Sequence, residues 1–217
     1  MRVKICGITQ AKQGVEIAQI AAITSSQAAT SLALGFICVE RSPRYIKPEQ
    51  IKTIIQQLPA NIDTVGVFAN ASLETIAKAI AVAQLTAVQL HGKESPDFCH
   101  QLRQLRPSGI EIIKAFRIKT SASLTETTAY LNCVDTLLLD AYHPQMLGGT
   151  GQTLNWSDLA RFKPPLPWML AGGLTPDNIQ DALSQLKPSG IDLSSGVERS
   201  PGDKNIDKVI QLFQAII

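Results

Sequence analysis

The stretch Thr64–Leu90, TVGVFANASLETIAKAIAVAQLTAVQL, contains one complete strand–helix–strand unit. Its ends, Thr64–Phe68 and Ala87–Leu90, are short and nearly continuously apolar, as expected for strands of a parallel sheet that is covered on both faces. Between them, Ser72 is a residue type that caps helix N-termini. The apolar residues that follow recur on one side of a helix, at Ile76, Ile80 and Ala83. The stretch therefore predicts two parallel strands joined by a crossover helix.

The same alternation continues through the whole chain. Apolar runs, each too short for a helix, begin roughly 27 residues apart on average. The runs lie near Val3–Cys6, Leu34–Cys38, Thr64–Phe68, Ala87–Leu90, Glu111–Ala115, Thr136–Leu139, Trp168–Ala171 and Ile191–Ser194. Eight strand–helix units in a chain of this length close most economically into a (β/α)8 barrel, the TIM barrel. We therefore predict an α/β protein with a single (β/α)8 barrel domain over residues 1–217.

A doubly wound open sheet is the main alternative. Such sheets usually have five or six strands, and their first strand–helix turn carries a GxGxxG pattern. Here the first turn is Cys6-Gly7-Ile8-Thr9, which lacks that pattern. The barrel is therefore the preferred interpretation.

The helix starts have their own sequence signals. Thr175–Asn178 predicts a cap residue followed by proline at the first helical position. A further helix is predicted after Asp203, with apolar residues at Ile206, Val209, Ile210 and Phe213. The interval Ala122–Leu131 predicts only a weak helix, because three threonines lower its propensity.

Composition and charge exclude several classes of protein. The chain of 217 residues is 45% hydrophobic and 18% charged, with a net charge of +2 and no run of like charges. Nucleic-acid binding would require clustered positive charge. The start of the chain, MRVKICGITQ, lacks the apolar segment of a signal peptide, and no apolar stretch approaches the roughly 18 residues of a membrane span. We expect a soluble, cytoplasmic protein that binds neither nucleic acid nor membranes.

Cysteine and histidine spacing predicts no metal site and no cofactor. The cysteines are Cys6, Cys38, Cys99 and Cys133. No pair has CxxC spacing, and the three histidines do not form an HExxH motif, so reduced thiols are expected. Apolar helix faces that pack on a barrel resemble those that pack on a partner, so the sequence leaves a monomer and a homodimer equally open.

Small residues collect in the last three strand–helix loops, where barrels of this type commonly hold phosphate. The clusters are Gly148-Gly149-Thr150-Gly151, Gly172-Gly173 and Ser194-Ser195-Gly196. Backbone N–H groups bind phosphate when the chain approaches closely with positive φ, which glycine favours. One Gly-Gly pair alone would be explained equally well by a tight turn. Three clusters, two of them leading to predicted helix starts, favour a phosphorylated small-molecule substrate held mainly by the backbone.

Cys6 and Asp140 follow the first and sixth predicted strands, at the barrel mouth. A lone cysteine at a strand end is most often a small buried hydrophobe, but a thiol near dipoles or cations can act as a general base. A carboxylate after Leu137–Leu139 could cap the next loop or pair with a cation, but partly apolar surroundings would also make it a general acid. The pair is therefore the candidate acid–base couple.

Three further polar residues are candidate site residues. Arg44 lies on a loop that proline stiffens, and its guanidinium could hold a carboxylate through two parallel hydrogen bonds, or be an ordinary surface arginine. His91 follows the fourth strand and is either a hydrogen-bond donor at the pocket wall or a buried structural histidine. Asp192 is polar where an apolar residue is expected, so it is predicted to point into the barrel and bond to its neighbours.

These motifs, in this order, resemble the phosphoribosylanthranilate isomerase family of tryptophan biosynthesis. The matching stretches are KICGIT at 4–9, Gly35-Phe36, SPR at 42–44, VQLHG at 88–92, LLD at 138–140, GGTG at 148–151 with Trp156, LAGGL at 170–174 and DLSSGVE at 192–198. The resemblance covers nearly the whole chain.

The resemblance implies an Amadori rearrangement of N-(5'-phosphoribosyl)anthranilate to 1-(o-carboxyphenylamino)-1-deoxyribulose 5-phosphate. Asp140 corresponds to the general acid that protonates the furanose ring oxygen. Cys6 corresponds to the general base that takes the proton from C2' of the resulting Schiff base. Arg44 corresponds to the residue that faces the anthranilate carboxylate, and the late glycine and serine loops correspond to the phosphate site.

The chain also departs from the family pattern in three places. Lys204-Asn205 replaces a more usual Lys-Asp, which is expected to affect a local cap and not the chemistry. Asn155-Trp156 replaces a more usual Asp-Trp, and Ser25–Ser31 is polar where a helix end is expected.

Three alternative functions are weighed against the isomerase. A related barrel of histidine biosynthesis would have an aspartate in the place of Cys6. An indole-glycerol-phosphate synthase would have lysines at its strand ends, which this sequence lacks. A binding or scaffolding barrel would need neither Cys6 nor Asp140.

Overall fold

Eight parallel strands pair in chain order, and the ring closes where β1 (Arg2–Cys6) pairs with β8 (Gly190–Leu193). The other strands are β2 (Ser31–Ile37), β3 (Asp63–Phe68), β4 (Ala87–Leu90), β5 (Glu111–Ile118), β6 (Thr136–Ala141) and β7 (Trp168–Ala171). The structure is a computed structural model and describes residues 1–25, 30–118, 121–141 and 159–216. The predicted (β/α)8 barrel is confirmed, and each predicted apolar run overlaps one strand.

Helices connect successive strands in the described parts of the chain. They are α1 (Ala11–Ser25), α2 (Pro48–Ile55), α3 (Leu73–Ala83), α4 (Pro96–Leu105), α5 (Ser121–Thr125), α6 (Ile179–Gln185) and α7 (Ile206–Ala215). Single 3-10 turns cover Glu126–Tyr130 and Ser195–Val197. A small antiparallel pair, β9 (Glu198–Ser200) and β10 (Asp203–Lys204), follows the last barrel strand. Among the residues that the structure describes, no helix is long and apolar enough to cross a membrane.

The side-chain alternation of the strands creates two apolar layers. Outward-facing residues such as Val3, Ile5 and Leu34 pack against the helices in the larger layer. Small and medium side chains fill the barrel interior, namely Ala33, Val65, Ala87, Ile113, Ala115, Leu138, Met169 and Ala171. The same alternation turns Lys4 and Cys6 of β1 inward, because they lie two residues apart on the face opposite Val3 and Ile5.

Helices α3 and α7 begin where the sequence signals predict, and α6 does not. Ser72 caps α3 by accepting a hydrogen bond from the amide of Thr75 at 3.1 Å, as predicted. The prediction of Pro176 at a first helical position is wrong, because α6 begins only at Ile179. There the side chain of Asn178 accepts from the amide of Thr175 at 2.8 Å and donates to the carbonyl of Gly173 at 3.0 Å. These two bonds hold residues 173–178 in a loop.

The departures from the family pattern are local where the structure describes them. Asn205 caps α7 by accepting from the amides of Asp207 and Lys208, so the departure at Lys204-Asn205 falls on a helix cap. The weak helix predicted over Ala122–Leu131 is a short α5 followed by a 3-10 turn. Asn155-Trp156 and residues 26–29 lie outside the described residues.

Candidate active site

The carboxyl ends of the strands surround a cavity of about 960 Å³. Every described residue that the sequence placed in the site lines it. These residues are Cys6, Arg44, His91, Asp140, Gly172, Gly173, Ser194, Ser195 and Gly196. Gly148, Gly149 and Gly151 lie outside the described residues, so their prediction stays untested.

Cys6 is the last residue of β1, and its thiol lies beside a buried ion pair. Lys4 is fully buried, and its ammonium donates to Oδ1 of Asp192 at 2.9 Å. The ammonium also lies near the Cys6 thiol, because Nζ of Lys4 and Sγ of Cys6 both border the space that Gly35 of β2 leaves open. Asp192 is the register partner of Lys4 between β8 and β1, which agrees with its predicted inward orientation.

The electrostatic environment keeps the Cys6 thiol protonated at neutral pH. Burial raises its pKa above the ordinary value, and the carboxylate of Asp192 raises it further. Lys4 opposes them as the strongest influence that lowers this pKa, and Lys204 adds a smaller effect. Burial also disfavours the charged form of Lys4, but Asp192 and Cys6 outweigh it and raise the pKa of the amine. Lys4 is therefore an ammonium group.

Asp140 lies in β6 beside His91, which follows β4. Oδ2 of Asp140 is 3.9 Å from Nε2 of His91, and both side chains are partly exposed to the cavity. The opposite ring nitrogen of His91, Nδ1, is 2.9 Å from the side-chain amide nitrogen of Gln89. Gln89 is itself almost completely buried in the cavity wall.

Burial shifts the pKa values of this pair in opposite directions. It raises the pKa of the Asp140 carboxyl, to which Asp192 adds, while His91 and Arg117 act against the rise. It lowers the pKa of the His91 imidazole, against the influence of Asp140 and Asp192. The pair therefore combines a neutral imidazole with a carboxyl group that retains its proton more readily than a solvated aspartate.

Arg44 reaches the cavity, but half of its guanidinium is already engaged. Nε donates to both carboxylate oxygens of Glu198 at 2.9 and 3.0 Å, and Nη2 donates to Oε2 at 2.6 Å. Because Glu198 occupies the Nε–Nη2 edge, a substrate carboxylate would have to bind at the Nη1 end, and the predicted contact between Arg44 and a substrate carboxylate stays a prediction. The end of the guanidinium that carries Nη1 has no hydrogen bond to the residues the structure describes.

Glu198 connects Arg44 to the end of β1. Its nearly buried carboxylate also accepts from Nζ of Lys204 at 2.7 Å and from the amide of Gly202 at 3.1 Å. Lys204 in turn donates to the carbonyl of Cys6. Burial would raise the pKa of Glu198, but its hydrogen bonds to Arg44 and Lys204 outweigh this and lower it. The Arg44–Glu198 pair is therefore charged at neutral pH. Burial lowers the pKa of the Lys204 amine, against the influence of Glu198.

The two late loops that the structure describes have the backbone expected of an anion site. Gly172 and Gly173 have φ values of +98° and +64°, which side-chain-bearing residues rarely adopt. The hydroxyl of Ser194 donates to the carbonyl of Cys6 at 3.1 Å, so no side chain caps the following turn at Ser195–Val197. Only this loop leads directly into a helical turn, because α6 begins well after Gly173.

Sequence reasoning gave no role to several residues that organise the site. Each of the buried lysines near the mouth is paired with a carboxylate. The pairs are Lys4 with Asp192, Lys114 with Glu94 and Lys204 with Glu198. Lys4 and Lys114 lie within strands and not at strand ends, so a search of the loops passes over them. The usable signal was a charged residue inside an apolar run, as in VKIC at 3–6.

The remaining cysteines are free thiols, and none of them is among the described residues that line the cavity. Burial raises the pKa of Cys38 and of Cys99 to about 12. Cys99 and Cys133 are fully buried in the outer layer. Their interpretation as structural residues is consistent with these surroundings.

The chain is similar to known proteins over its whole length. The family model described as N-(5'-phosphoribosyl)anthranilate (PRA) isomerase matches residues 3–215. The curated N-(5'-phosphoribosyl)anthranilate isomerase of Crocosphaera subtropica is 63% identical over 214 residues, which cover 99% of this chain and 97% of the relative.

Solved structures give the same result. The crystal structure of phosphoribosyl anthranilate isomerase from Thermotoga maritima superimposes with a TM-score of 0.81 at 33% identity, covering 99% of this chain and 98% of that chain. A phosphoribosyl anthranilate isomerase in complex with reduced 1-(o-carboxyphenylamino)-1-deoxyribulose 5-phosphate matches with a TM-score of 0.78 at 32% identity, covering 99% and 97% of the two chains.

Proposed function

Because the chain belongs to the N-(5'-phosphoribosyl)anthranilate isomerase family of tryptophan biosynthesis, we propose that it converts N-(5'-phosphoribosyl)anthranilate to 1-(o-carboxyphenylamino)-1-deoxyribulose 5-phosphate. The observation that carries the proposal is that Cys6 and Asp140, on β1 and β6, line one cavity with the glycine and serine loops after β7 and β8. The complex of a related isomerase with a reduced form of this product supports the substrate class.

Asp140 begins the reaction as the general acid. Its carboxyl group donates a proton to the furanose ring oxygen, the bond from C1' to that oxygen breaks, and the anthranilate nitrogen forms the Schiff base. The raised pKa of Asp140 favours the protonated form that this step needs. The carboxylate left behind lies beside His91, whose neutral ring can donate a hydrogen bond to it.

Cys6 completes the reaction as the general base. The thiolate takes the proton from C2' of the Schiff base, and the electron pair of the C–H bond forms the enamine that tautomerises to the ketose. The cycle starts after the Cys6 thiol has released its proton to solvent. One proton then leaves Asp140 and one arrives at Cys6, so the return of one proton from Cys6 to Asp140 through solvent restores the starting state. Burial of the thiol makes its thiolate a stronger base once formed.

The two ends of the substrate bind on opposite sides of these groups. The phosphate is held by backbone amides of the loops at Gly172-Gly173 and Ser194–Gly196, together with the predicted loop at 148–151. The anthranilate carboxylate meets the Nη1 end of Arg44, which Glu198 holds in place through the other edge.

The test is the loss of anthranilate fluorescence when the purified protein meets freshly generated phosphoribosylanthranilate. We expect turnover by the wild type and a loss of at least about a hundredfold in Cys6→Ala and in Asp140→Asn, the lower range for a positioned acid or base. Cys38→Ala removes a thiol of similar size that does not line the cavity, and it is expected to keep wild-type turnover. A wild type that binds phosphate compounds without turnover would overturn the proposal in favour of a binding barrel.

Two observations separate the proposal from the enzyme alternatives. An isomerase of histidine biosynthesis would need a carboxylate where this chain has Cys6. An indole-glycerol-phosphate synthase would need free lysines at the mouth, whereas Lys4, Lys114 and Lys204 are each held by a carboxylate. A single domain over residues 1–217, a cytoplasmic location and a monomeric or homodimeric state remain predictions of the sequence.

A further inference from the structure

A buried lysine lies directly behind the thiol of Cys6, and the proton transfers above assign it no role. Lys4 has no exposed surface and is not among the described residues that line the cavity. Its ammonium therefore cannot reach a substrate. Instead, it donates a hydrogen bond to Oδ1 of Asp192 at 2.9 Å. It also lies near the thiol of Cys6, because Nζ and Sγ both border the space beside Gly35.

The neighbouring strand is shaped to leave room for this contact. Gly35 of β2 is the register partner of Cys6. A methyl group at Gly35 would lie 2.7 Å from Sγ of Cys6 and 3.0 Å from Nζ of Lys4. Real side chains essentially never approach this closely, so any residue larger than glycine would push the thiol and the ammonium out of their present positions.

Stability alone does not account for the ion pair. Replacing a buried ion pair by well-packed apolar side chains is often neutral or stabilising, because desolvation of the two charges offsets their attraction. The surrounding interior layer is built from apolar residues such as Ala33, Val65 and Ala87. Apolar side chains could therefore fill the space that Lys4 and Asp192 occupy. We therefore look for a chemical role of the Lys4–Asp192 pair at the Cys6 thiol, which lies beside it.

We propose that Lys4 is a positioning residue that provides the counter-charge for the Cys6 thiolate, with Asp192 as the second partner that keeps the ammonium in place. The proposal rests on the proposed function, in which Cys6 must lose its proton before it can act as a base. Lys4 stays an ammonium throughout and transfers no proton. When the thiolate takes the proton from C2', the Lys4 charge remains balanced by Asp192.

Lys4 and Asp192 have opposite effects on the pKa of the Cys6 thiol. Lys4 lowers the pKa of Cys6 and Asp192 raises it, while Lys204, which binds the Cys6 carbonyl, contributes a smaller lowering. Arg44 faces the same thiol from the loop after β2. Removing the ammonium should therefore disfavour the thiolate, and removing the carboxylate should favour it.

The experiment measures the rate of alkylation of Cys6 by iodoacetamide against pH in the ligand-free full-length protein, with site-resolved mass spectrometry. Lys4→Met should shift the inflection to higher pH and slow alkylation near neutral pH by at least about tenfold, since an opposite charge in contact typically changes ionisation by that much or more. Asp192→Asn should shift the inflection to lower pH. Lys4→Met removes the partner of the Asp192 carboxylate and could destabilise the fold for that reason alone. The double variant Lys4→Met/Asp192→Asn removes both charges and therefore serves as the reference.

The other cysteines serve as internal controls in the same samples. Alkylation of Cys99 and Cys133, which are fully buried, reports opening of the fold, and Cys38 reports reagent activity. A merely structural role for Lys4 would expose all the buried thiols together and would not move the inflection for Cys6 alone. Shifts in the same direction for Lys4→Met and Asp192→Asn, or no shift with either, would overturn the proposal.

Turnover of the same preparations separates this proposal from the proposed function. Lys4→Met should lower kcat with little change in KM, because Lys4 is hidden from the cavity. If the wild type shows no isomerase activity, the proposed function fails whatever the thiol titration shows. If the wild type is active and Lys4→Met leaves both kcat and the inflection unchanged, only the role of Lys4 fails.

Discussion

The side-chain amide of Gln89 and the ring of His91 fix each other, with 2.9 Å between the amide nitrogen and Nδ1. With the amide nitrogen in this position, Gln89 donates to Nδ1, and a neutral ring then carries its hydrogen on Nε2. That nitrogen lies 3.9 Å from Oδ2 of Asp140. Gln89 thus orients His91 so that the N–H group at Nε2 points toward the Asp140 carboxyl group.

The first prediction concerns this tautomer. In wild-type protein, long-range ¹H–¹⁵N spectra should show His91 with hydrogen on Nε2, with exposed His100 as the reference for an unrestrained ring. Gln89→Glu places an acceptor at Nδ1 and should move the hydrogen to that nitrogen or make the ring cationic. We expect kcat/KM to fall by about tenfold or more, because the Asp140 carboxylate then loses its neutral donor. A wild-type ring with hydrogen on Nδ1 would contradict this arrangement.

The second prediction concerns the free end of Arg44. Arg44→Lys keeps the charge but cannot hold Glu198 and a substrate carboxylate at once, since an ammonium lacks the fork of the guanidinium. KM should rise by about tenfold, with kcat changed much less. Phosphoribosylaniline, which lacks the carboxylate, provides the matched comparison, and the wild type and Arg44→Lys should handle it alike. Equal losses on both substrates would place the carboxylate elsewhere.

The third prediction concerns stability and pH at Glu198. Hydrogen bonds lower its pKa in the folded protein, so its contribution is fully present above the unfolded pKa of about 4.3 and is lost as pH falls through the folded value. Glu198→Gln leaves Arg44 and Lys204 without their shared carboxylate and should reduce the free energy of unfolding by about 3 kcal/mol at neutral pH. Urea titrations should show this difference shrinking on acidification. A difference that is independent of pH would rule out the linkage.

The fourth prediction concerns Gly35. Gly35→Ala should lower the free energy of unfolding by about 1–3 kcal/mol through overpacking, and it should also reduce kcat because Sγ of Cys6 must move. Gly14→Ala in α1 is the matched control, because a methyl group there meets its nearest neighbours at 3.5–3.7 Å, ordinary contact distances. That variant should be stabilised by about 0.5–1 kcal/mol with unchanged activity. Equal stability of the two variants would show that the space beside Cys6 is not restricted.

The parts of the molecule that follow from local sequence were predictable. Eight apolar runs gave the barrel, because a strand buried on both faces has a distinct composition. The position at a strand end was enough to find Cys6, His91 and Asp140. The sequence also predicted Arg44 as a site residue, but it did not predict the ion pair of Arg44 with Glu198.

The features that the sequence did not predict are contacts between residues far apart in the chain. The pair of Lys4 and Asp192 joins residues 188 positions apart, and the pair of Arg44 and Glu198 joins residues 154 apart. No periodicity encodes which of several charged residues will meet inside a closed barrel. The late start of α6 was missed for a similar reason, since the Asn178 side chain bonds back into its own loop and competes with the helix.

The measurement that most directly tests the central claim is single-turnover decay of substrate fluorescence with hydrogen or deuterium at C2'. The wild type should convert the deuterated substrate several-fold more slowly, since cleavage of this C–H bond by Cys6 is a chemical step that a single turnover reports without product release. Cys6→Ala and Asp140→Asn should both lose at least about a hundredfold in rate. A Cys6→Ala protein that retains the wild-type rate and the wild-type isotope effect would contradict the assignment of Cys6 as the base.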